Sequence, residues 1–253
     1  MNPWQYEPAR DLDQPLIERL RHFPREPDMF VHGLRLVATA MIRGWLRAYH
    51  RLSIIGRENL PAEGSFVVVA NHSSHLDALC LQAALPFAQL HRAFPVAAKD
   101  YFFVNAPRVV LAAVVVNALP FDRQGNPRHS LSLCRQLLDN AGNALLIFPE
   151  GTRSATGEVG EFKPGVGLIV AGTNYPVVPC YIEGAHRAWP KGRWLPRPRK
   201  VRVCIGFPRE YSHLDGSKDS ALRICRELRE AVRDLARGAG DLSNRRLQHE
   251  VAL

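Results

Sequence analysis

The sequence predicts an α/β fold: a central mixed sheet flanked by helices, with an N-terminal amphipathic helical appendage. Three observations carry this expectation. From residue 52 onward, short apolar runs rich in β-branched residues alternate with helix-period segments, the pattern of a sheet covered by helices. The 253 residues are 46% hydrophobic, ample for one large core. No Gly/Ser linker, low-complexity block or internal repeat divides the sequence. The expected organisation is an N-terminal helical segment (1–51), one α/β domain (52–237) and a polar tail (238–253).

Residues 12–23 read as a short polar helix. The segment 29–50 is amphipathic at 3.6 residues per turn. His32, Arg35, Thr39, Arg43, Arg47 and His50 share one arc; Phe30, Leu34, Val37, Met41, Trp45 and Tyr49 fall opposite, with Leu36 and Leu46 off pattern. A cationic face joined to large apolar residues suits a helix lying in a membrane interface. It equally suits a helix packed on the domain's own core. Strands are expected at Ser65–Ala70, Ala93–Ala98, Ala144–Phe148, Val177–Ile182 and Val201–Ile205. Helices are expected at His75–Ala84, Ala106–Val115, Pro127–Asn140, Gly165–Gly172 and Lys218–Arg237, and the tail from Gly238 is expected to fray.

The formal charge of +9 and the pI of about 9.7 favour anionic partners, whether lipid headgroups, phosphorylated substrates or nucleic acid. Between Glu183 and Glu210 there is no acidic residue. That interval holds Arg187, Lys191, Arg193, Arg197, Arg199, Lys200, Arg202 and Arg209, interleaved with Trp189 and Trp194. Indoles and cations together suit the border of an anionic membrane; a solvated basic loop before an edge strand has the same composition. The five cysteines are odd in number and form no Cys-x-x-Cys, so neither a disulfide framework nor a zinc site is expected, and a reducing cytoplasmic compartment fits. The N-terminal residues lack the basic and apolar regions of a secretory signal. The apolar stretch Val109–Phe121 falls short of the roughly 20 residues a spanning helix needs, and Pro164–Ile182 is interrupted at residues 172–176. No transmembrane span is expected.

Three turns carry residues suited to chemistry. In His72-Ser73-Ser74-His75-Leu76-Asp77, His72 follows a buried strand, at the strand end where open α/β sheets build their sites. An imidazole accepts a proton near neutrality, and a carboxylate on its second nitrogen fixes its tautomer. Asp77 is near enough in sequence to do this. The same stretch reads as a capping box running from Ser74 to Asp77, and His72, His75 and Asp77 also read as a metal set, though their spacing matches no standard metal motif. In Leu119–Gly125, Arg123 offers a planar fork for a phosphate or a surface partner for Asp122. In Phe148-Pro149-Glu150-Gly151-Thr152-Arg153-Ser154, Gly151 permits close backbone approach, and Arg153 and Lys163 add cations; a solvated strand-to-loop turn is the plainer alternative.

Taken in order, His72-x-x-x-x-Asp77, Phe121-x-Arg123, Phe148–Arg153 and Val178-Pro179 resemble the ordered blocks of the glycerolipid acyltransferase family, whose 1-acylglycerol-3-phosphate acyltransferases look most similar. The likeness covers roughly residues 50–210. It departs at Asn117 and Pro120, where the family often has glycine and an aromatic residue, which leaves the acceptor open. The resemblance implies that His72 deprotonates a glycerol hydroxyl that attacks an acyl thioester, with Asp77 orienting His72. It implies that Arg123, Glu150, Gly151, Thr152 and Arg153 position the phosphorylated glycerol and that Pro179 shapes the site; Lys163 is added here as a further phosphate contact. Asn71 is expected to support the turn or donate a hydrogen bond.

No metal or bound cofactor is needed, because the thioester of acyl-CoA or acyl-carrier protein is already activated. Gly-x-Ser-x-Gly is absent, which counts against a standard α/β-hydrolase. The expected product is phosphatidic acid, from lysophosphatidic acid, at the cytoplasmic side of a membrane to which the protein binds peripherally. Two other readings stand beside this one. One is acylation of another lysophospholipid or lipid alcohol. The other is a non-catalytic module for anionic lipid or nucleic acid, with nucleic acid the less favoured partner.

Overall fold

The computed structural model describes residues 14–21, 23–25 and 28–251; residues 12, 13 and 22 of the first expected helix lie outside them. The chain begins with α1 (Leu16–Arg21), α2 (Met29–His50), β1 (Ser53–Ile55), β2 (Phe66–Ala70), α3 (Asp77–Ala84), β3 (Ala93–Ala98), α4 (Lys99–Phe102) and α5 (Ala106–Val110). It continues with β4 (Leu119–Phe121), α6 (Pro127–Asp139), β5 (Ala144–Ile147), α7 (Gly165–Val170), β6 (Val177–Glu183), α8 (Ala185–Ala188), β7 (Arg202–Ile205) and α9 (Lys218–Val251).

Among the described residues the strands form one seven-stranded sheet in the order β1-β7-β6-β2-β5-β3-β4. The β6–β7 pair is antiparallel and the other neighbours are parallel, so the sheet is mixed, as expected. Every residue of β2 and β5 is buried. Such continuous apolar runs mark strands covered on both faces. One face packs Phe66, Val68 and Leu146 against Leu76, Cys80 and Leu81 of the α3 region. The other packs Val67, Val69 and Leu145 against Leu138 of α6, Val166 of α7 and Leu228 of α9. The parallel neighbours β2 and β5 run in register, Val69 beside Ile147. The loops that leave their C-terminal ends therefore emerge side by side.

Some elements differ from the expectation. β1 and β4 have three residues each, too few to show a period in sequence. The helix expected over Ala106–Val115 changes to a π-helical turn at Leu111–Val115, where the Arg35 guanidinium takes the Ala113 and Val114 carbonyls from outside. α9 continues past Gly238 to Val251; one glycine costs a helix only about 1 kcal/mol relative to alanine.

α2 is turned opposite to an ordinary surface helix. Arg35 and Arg43 are 9% and 8% exposed and His50 is fully buried, whereas Phe30, Val37 and Met41 on the far side are 73%, 57% and 66% exposed. The buried arginines cap helix ends, whose last carbonyls have no partner within the helix. Arg35 Nε donates to Val114 O at 3.0 Å. Arg43 Nη2 donates to Gln82 O at 3.0 Å and to Leu85 O, closing the end of α3. Its guanidinium also lies 3.9 Å from the centre of the Phe87 ring. Burial lowers both arginines to about 10, so they stay charged at neutral pH. The cationic arc thus packs on the domain except at Arg47, and the apolar arc is left open except at Trp45, which packs on the core.

Removing the Arg43 fork takes a charged donor from the Gln82 and Leu85 carbonyls, which keep, among the described residues, only the Leu85 N–H and Arg57 Nη2. Arg43→Ala is expected to lower the unfolding free energy by about 1–3 kcal/mol. Val37→Ser on the open face should change it by less than about 0.5 kcal/mol. Urea denaturation measures both, and equal stability of the two variants would refute the capping role.

Candidate active site

The site starts from a strand that continues as side-chain hydrogen bonds. Asn71, the residue after β2, takes the Ile182 N–H on its Oδ1 at 2.7 Å and donates its Nδ2 to Ile182 O at 3.2 Å. This extends the β2–β6 seam and brings His72 to the sheet's C-terminal rim. His72 Nδ1 lies 2.9 Å from Asp77 Oδ2. The carboxylate makes Nδ1 the protonated nitrogen and leaves the lone pair on Nε2. Asp77 is fully buried at the first position of α3. The same Oδ2 also accepts the Ser73 and Ser74 N–H groups at 2.6 and 2.8 Å. Asp77 is therefore both the orienting carboxylate and the peg of the turn. Ser74 does not cap α3 by the expected box: its Oγ accepts the Leu76 N–H and donates to Trp189 O.

The loop after β5 is sewn onto His72 on both sides. Glu150 Oε1 accepts the His72 N–H at 2.9 Å, and His72 O accepts the Ser154 N–H at 2.8 Å. The Phe148 ring stacks on the imidazole with centroids 4.3 Å apart. Gly151 has φ +71, and a Cβ there would come 2.9 Å from Lys163 Nζ, so the ammonium lies directly over its backbone. A side chain at 151 would meet both the strain of positive φ and this cation.

The cations converge on this loop. Arg123 Nη1 donates to Gly151 O at 2.7 Å, and its Nη2 reaches both Asp100 oxygens at 3.0 and 2.9 Å. Its partner is Asp100, not Asp122; the Asp122 carboxylate instead accepts the Gly125 and Gln124 N–H groups of its own turn. Arg153 Nη1 donates to His75 Nε2. His75 therefore turns its lone pair to Arg153, away from His72 and Asp77. Thr152 is exposed at the loop's tip, and Lys163 is exposed beside Gly151.

Two expected substrate contacts are placed elsewhere. The Glu150 carboxylate is buried at 7% exposure and takes backbone N–H groups of His72 and Gly160, so it grips the site's frame. Burial raises its carboxyl above the ordinary value, against the pull of those N–H groups. Pro179 lies within β6 beside Val69, below the rim, and packs on Gly206. Sequence reasoning missed Asp100 and the His75–Arg153 contact, and it placed Phe148 and Ser154 in the site without a role. Asp100 and Arg123 each stand two residues past the paired strand ends Ala98 and Phe121, a pairing that the three-residue β4 does not show in sequence.

Comparison with known proteins places this geometry. A family model described as acyltransferase matches residues 51–183. The chloroplastic 1-acyl-sn-glycerol-3-phosphate acyltransferase LPAT1 of Arabidopsis thaliana is 33% identical over 189 residues, 73% of this chain and 49% of that protein. The 1-acyl-sn-glycerol-3-phosphate acyltransferase of Bacillus subtilis is 28% identical over 197 residues, 77% of this chain and 89% of its own length. This chain thus spans about half the length of the plant relatives it matches. The crystal structure of the 1-acyl-sn-glycerophosphate (LPA) acyltransferase PlsC from Thermotoga maritima superposes with a TM-score of 0.62 at 25% identity, over 82% of this chain and 80% of that one.

His75 gives the site a pH signature. Burial, then the Arg153 charge, lower its pKa to about 4. As the pH falls through about 6.5, the unfolded chain protonates this histidine and the folded one does not. Its contribution to stability is therefore complete above about 6.5 and is lost toward about 4. His75→Gln keeps an acceptor for Arg153 but cannot titrate. It is expected to flatten part of the decline in unfolding midpoint across that window. An unchanged slope would show that His75 takes its proton in the folded state.

Proposed function

We propose, on the premise that this chain belongs to the acyltransferase family whose model spans residues 51–183, that it transfers a fatty acyl group from a thioester to the free hydroxyl of lysophosphatidic acid. The observation that carries the reading is the His72 Nδ1–Asp77 Oδ2 contact of 2.9 Å, held in one frame with the cation-bearing loop by Glu150. His72 Nε2 takes the hydroxyl proton as the acceptor oxygen attacks the thioester carbonyl. Asp77 stabilises the imidazolium that results. The tetrahedral intermediate then collapses, the carbon–sulfur bond breaks, and the imidazolium returns the proton to the leaving thiolate. Arg123, Arg153 and Lys163 receive the acceptor's phosphate, with Gly151 and Thr152 at the loop's tip beside it. Glu150 acts through the backbone of His72.

The donor is acyl-CoA or acyl-carrier protein, since either presents the same carbonyl and leaving group. No helix among the described residues is long and apolar enough to cross a membrane. The protein meets its lipid peripherally, at the cytoplasmic face. The open apolar arc of α2 supports this, and so do Trp194 and Leu195, 87% and 61% exposed within the basic loop. Trp189 is not part of that surface: it packs beside His75, its indole N–H donating to Arg193 O.

The direct test supplies the protein with long-chain acyl-CoA or acyl-carrier protein and a panel of lysolipids, and measures acylated product. Phosphatidic acid from lysophosphatidic acid is expected. His72→Ala should reduce turnover by about 10²–10⁴-fold, the scale of a lost general base; full activity of that variant would discard the mechanism.

Membrane docking is tested separately. Val37→Asp with Met41→Asp places two charges on the open face of α2 and should abolish flotation with anionic vesicles without moving the thermal midpoint. A doubly substituted protein that still floats would remove α2 from the proposal.

A further inference from the structure

Arg153 carries its charge at the end of a long side chain, and a mobile guanidinium loses conformational freedom when it meets a ligand. Here a histidine holds it beforehand: Arg153 Nη1 donates to His75 Nε2. His75 is itself well anchored. Its ring centroid lies 5.1 Å from that of Trp189. The preceding residue, Ser74, is pinned from two directions. Its N–H donates to Asp77 Oδ2 at 2.8 Å, its Oγ donates to Trp189 O at 2.8 Å, and it pairs with Pro190 in an isolated antiparallel bridge. His75 is therefore wedged between the loop after β6 and the loop after β5, inside the turn that runs from His72 to Asp77.

The charge of this partner matters. Arg123 is held by the Asp100 carboxylate, which offsets its positive charge. Burial, then the Arg153 charge, lower the His75 pKa to about 4, so at neutral pH the imidazole brings no charge of its own. A neutral acceptor nitrogen orients a guanidinium and leaves its attraction for a phosphate intact.

Resting on the acyl-transfer reading above, we propose that His75 is a positioning residue, which aims Arg153 at the lysolipid phosphate and ties that aim to the turn carrying the base. One turn then fixes two groups: the base, through Asp77 on His72 Nδ1, and the anion site, through His75 on Arg153. The lysolipid meets a cation already in place, and the cost of ordering that arginine falls outside the binding step.

The test is steady-state kinetics with lysophosphatidic acid and the thioester that wild type uses, at neutral pH. The variants are His75→Phe, His75→Gln, Arg153→Ala and the double substitution of His75→Phe with Arg153→Ala. His75→Phe keeps a ring beside Trp189 and removes the acceptor nitrogen. It is expected to raise KM for lysophosphatidic acid about two- to tenfold, the scale of freeing one long side chain, and to leave KM for the thioester unchanged. His75→Gln should recover most of the loss. In the Arg153→Ala background His75→Phe should have no further effect. Any of four results overturns the proposal: an unchanged KM in His75→Phe, an equal rise for both substrates, a Gln variant as impaired as the Phe variant, or additive effects of the two substitutions. Additivity would mean that His75 works independently of Arg153. Thermal midpoints check folding, and His75→Leu, with the same expectation, takes the place of a Phe variant that does not fold. A wild type that acylates no lysolipid overturns the acyl-transfer reading, whereas an active wild type with an additive cycle overturns this one alone.

Discussion

A backbone N–H at the end of a buried strand must find an acceptor, and at the rim of this sheet the His72 N–H finds Glu150. Leaving such a buried donor unpaired costs about 1–3 kcal/mol, so the Glu150 contact is strongly held. Its effect exceeds its energy. The carboxylate belongs to the loop after β5, the N–H to the turn after β2, and Ser154 returns a second hydrogen bond to His72 O. His72 and the cation-bearing loop, from segments 78 residues apart, are thereby fixed in one frame. Everything else at the site is arranged around this seam: Phe148 lies on the imidazole, Gly151 turns beneath Lys163, and Arg123 reaches across to Gly151 O.

Much of this was legible in the residues. The strands of four or more residues, β2, β3, β5, β6 and β7, were expected from their sequence, and their ends fell within a residue of expectation. β1 and β4 were not, because three residues are shorter than any readable period. The His72–Asp77 pairing was readable because both partners sit in one turn. Glu150 was placed in the right loop, but its contact with the His72 N–H was not readable: spacing gives the loop, and only folding decides which backbone N–H a carboxylate meets. The Asp100–Arg123 and His75–Arg153 contacts escaped notice because the partners are 23 and 78 positions apart, brought together by strand pairing.

α2 shows the limit of the helical wheel. The periodicity of 29–50 established that the two faces differ, and the usual preference would bury the apolar one. Here the buried surface offered something else. The ends of α3 and of the π-helical turn at Leu111–Val115 present carbonyls that want donors, and Arg35 and Arg43 supply them. The apolar arc is left outward as the consequence. Inward arginines and outward hydrophobic residues are thus one arrangement with a single cause.

The last turn of α2 has a geometric consequence of its own. Tyr49 Oη donates to Pro196 O, His50 Nδ1 faces Arg199 O at 3.3 Å, and the loop between β6 and β7 that holds these carbonyls also receives the Ser74 hydroxyl at Trp189 O. The helix and the turn that carries His72 are tied through a few short bonds. A surface that carries α2 therefore sets the height of His72 above it. For an amphiphile already in a surface that carried α2, the route to His72 would be a lateral search in two dimensions, with no need to leave the lipid for water.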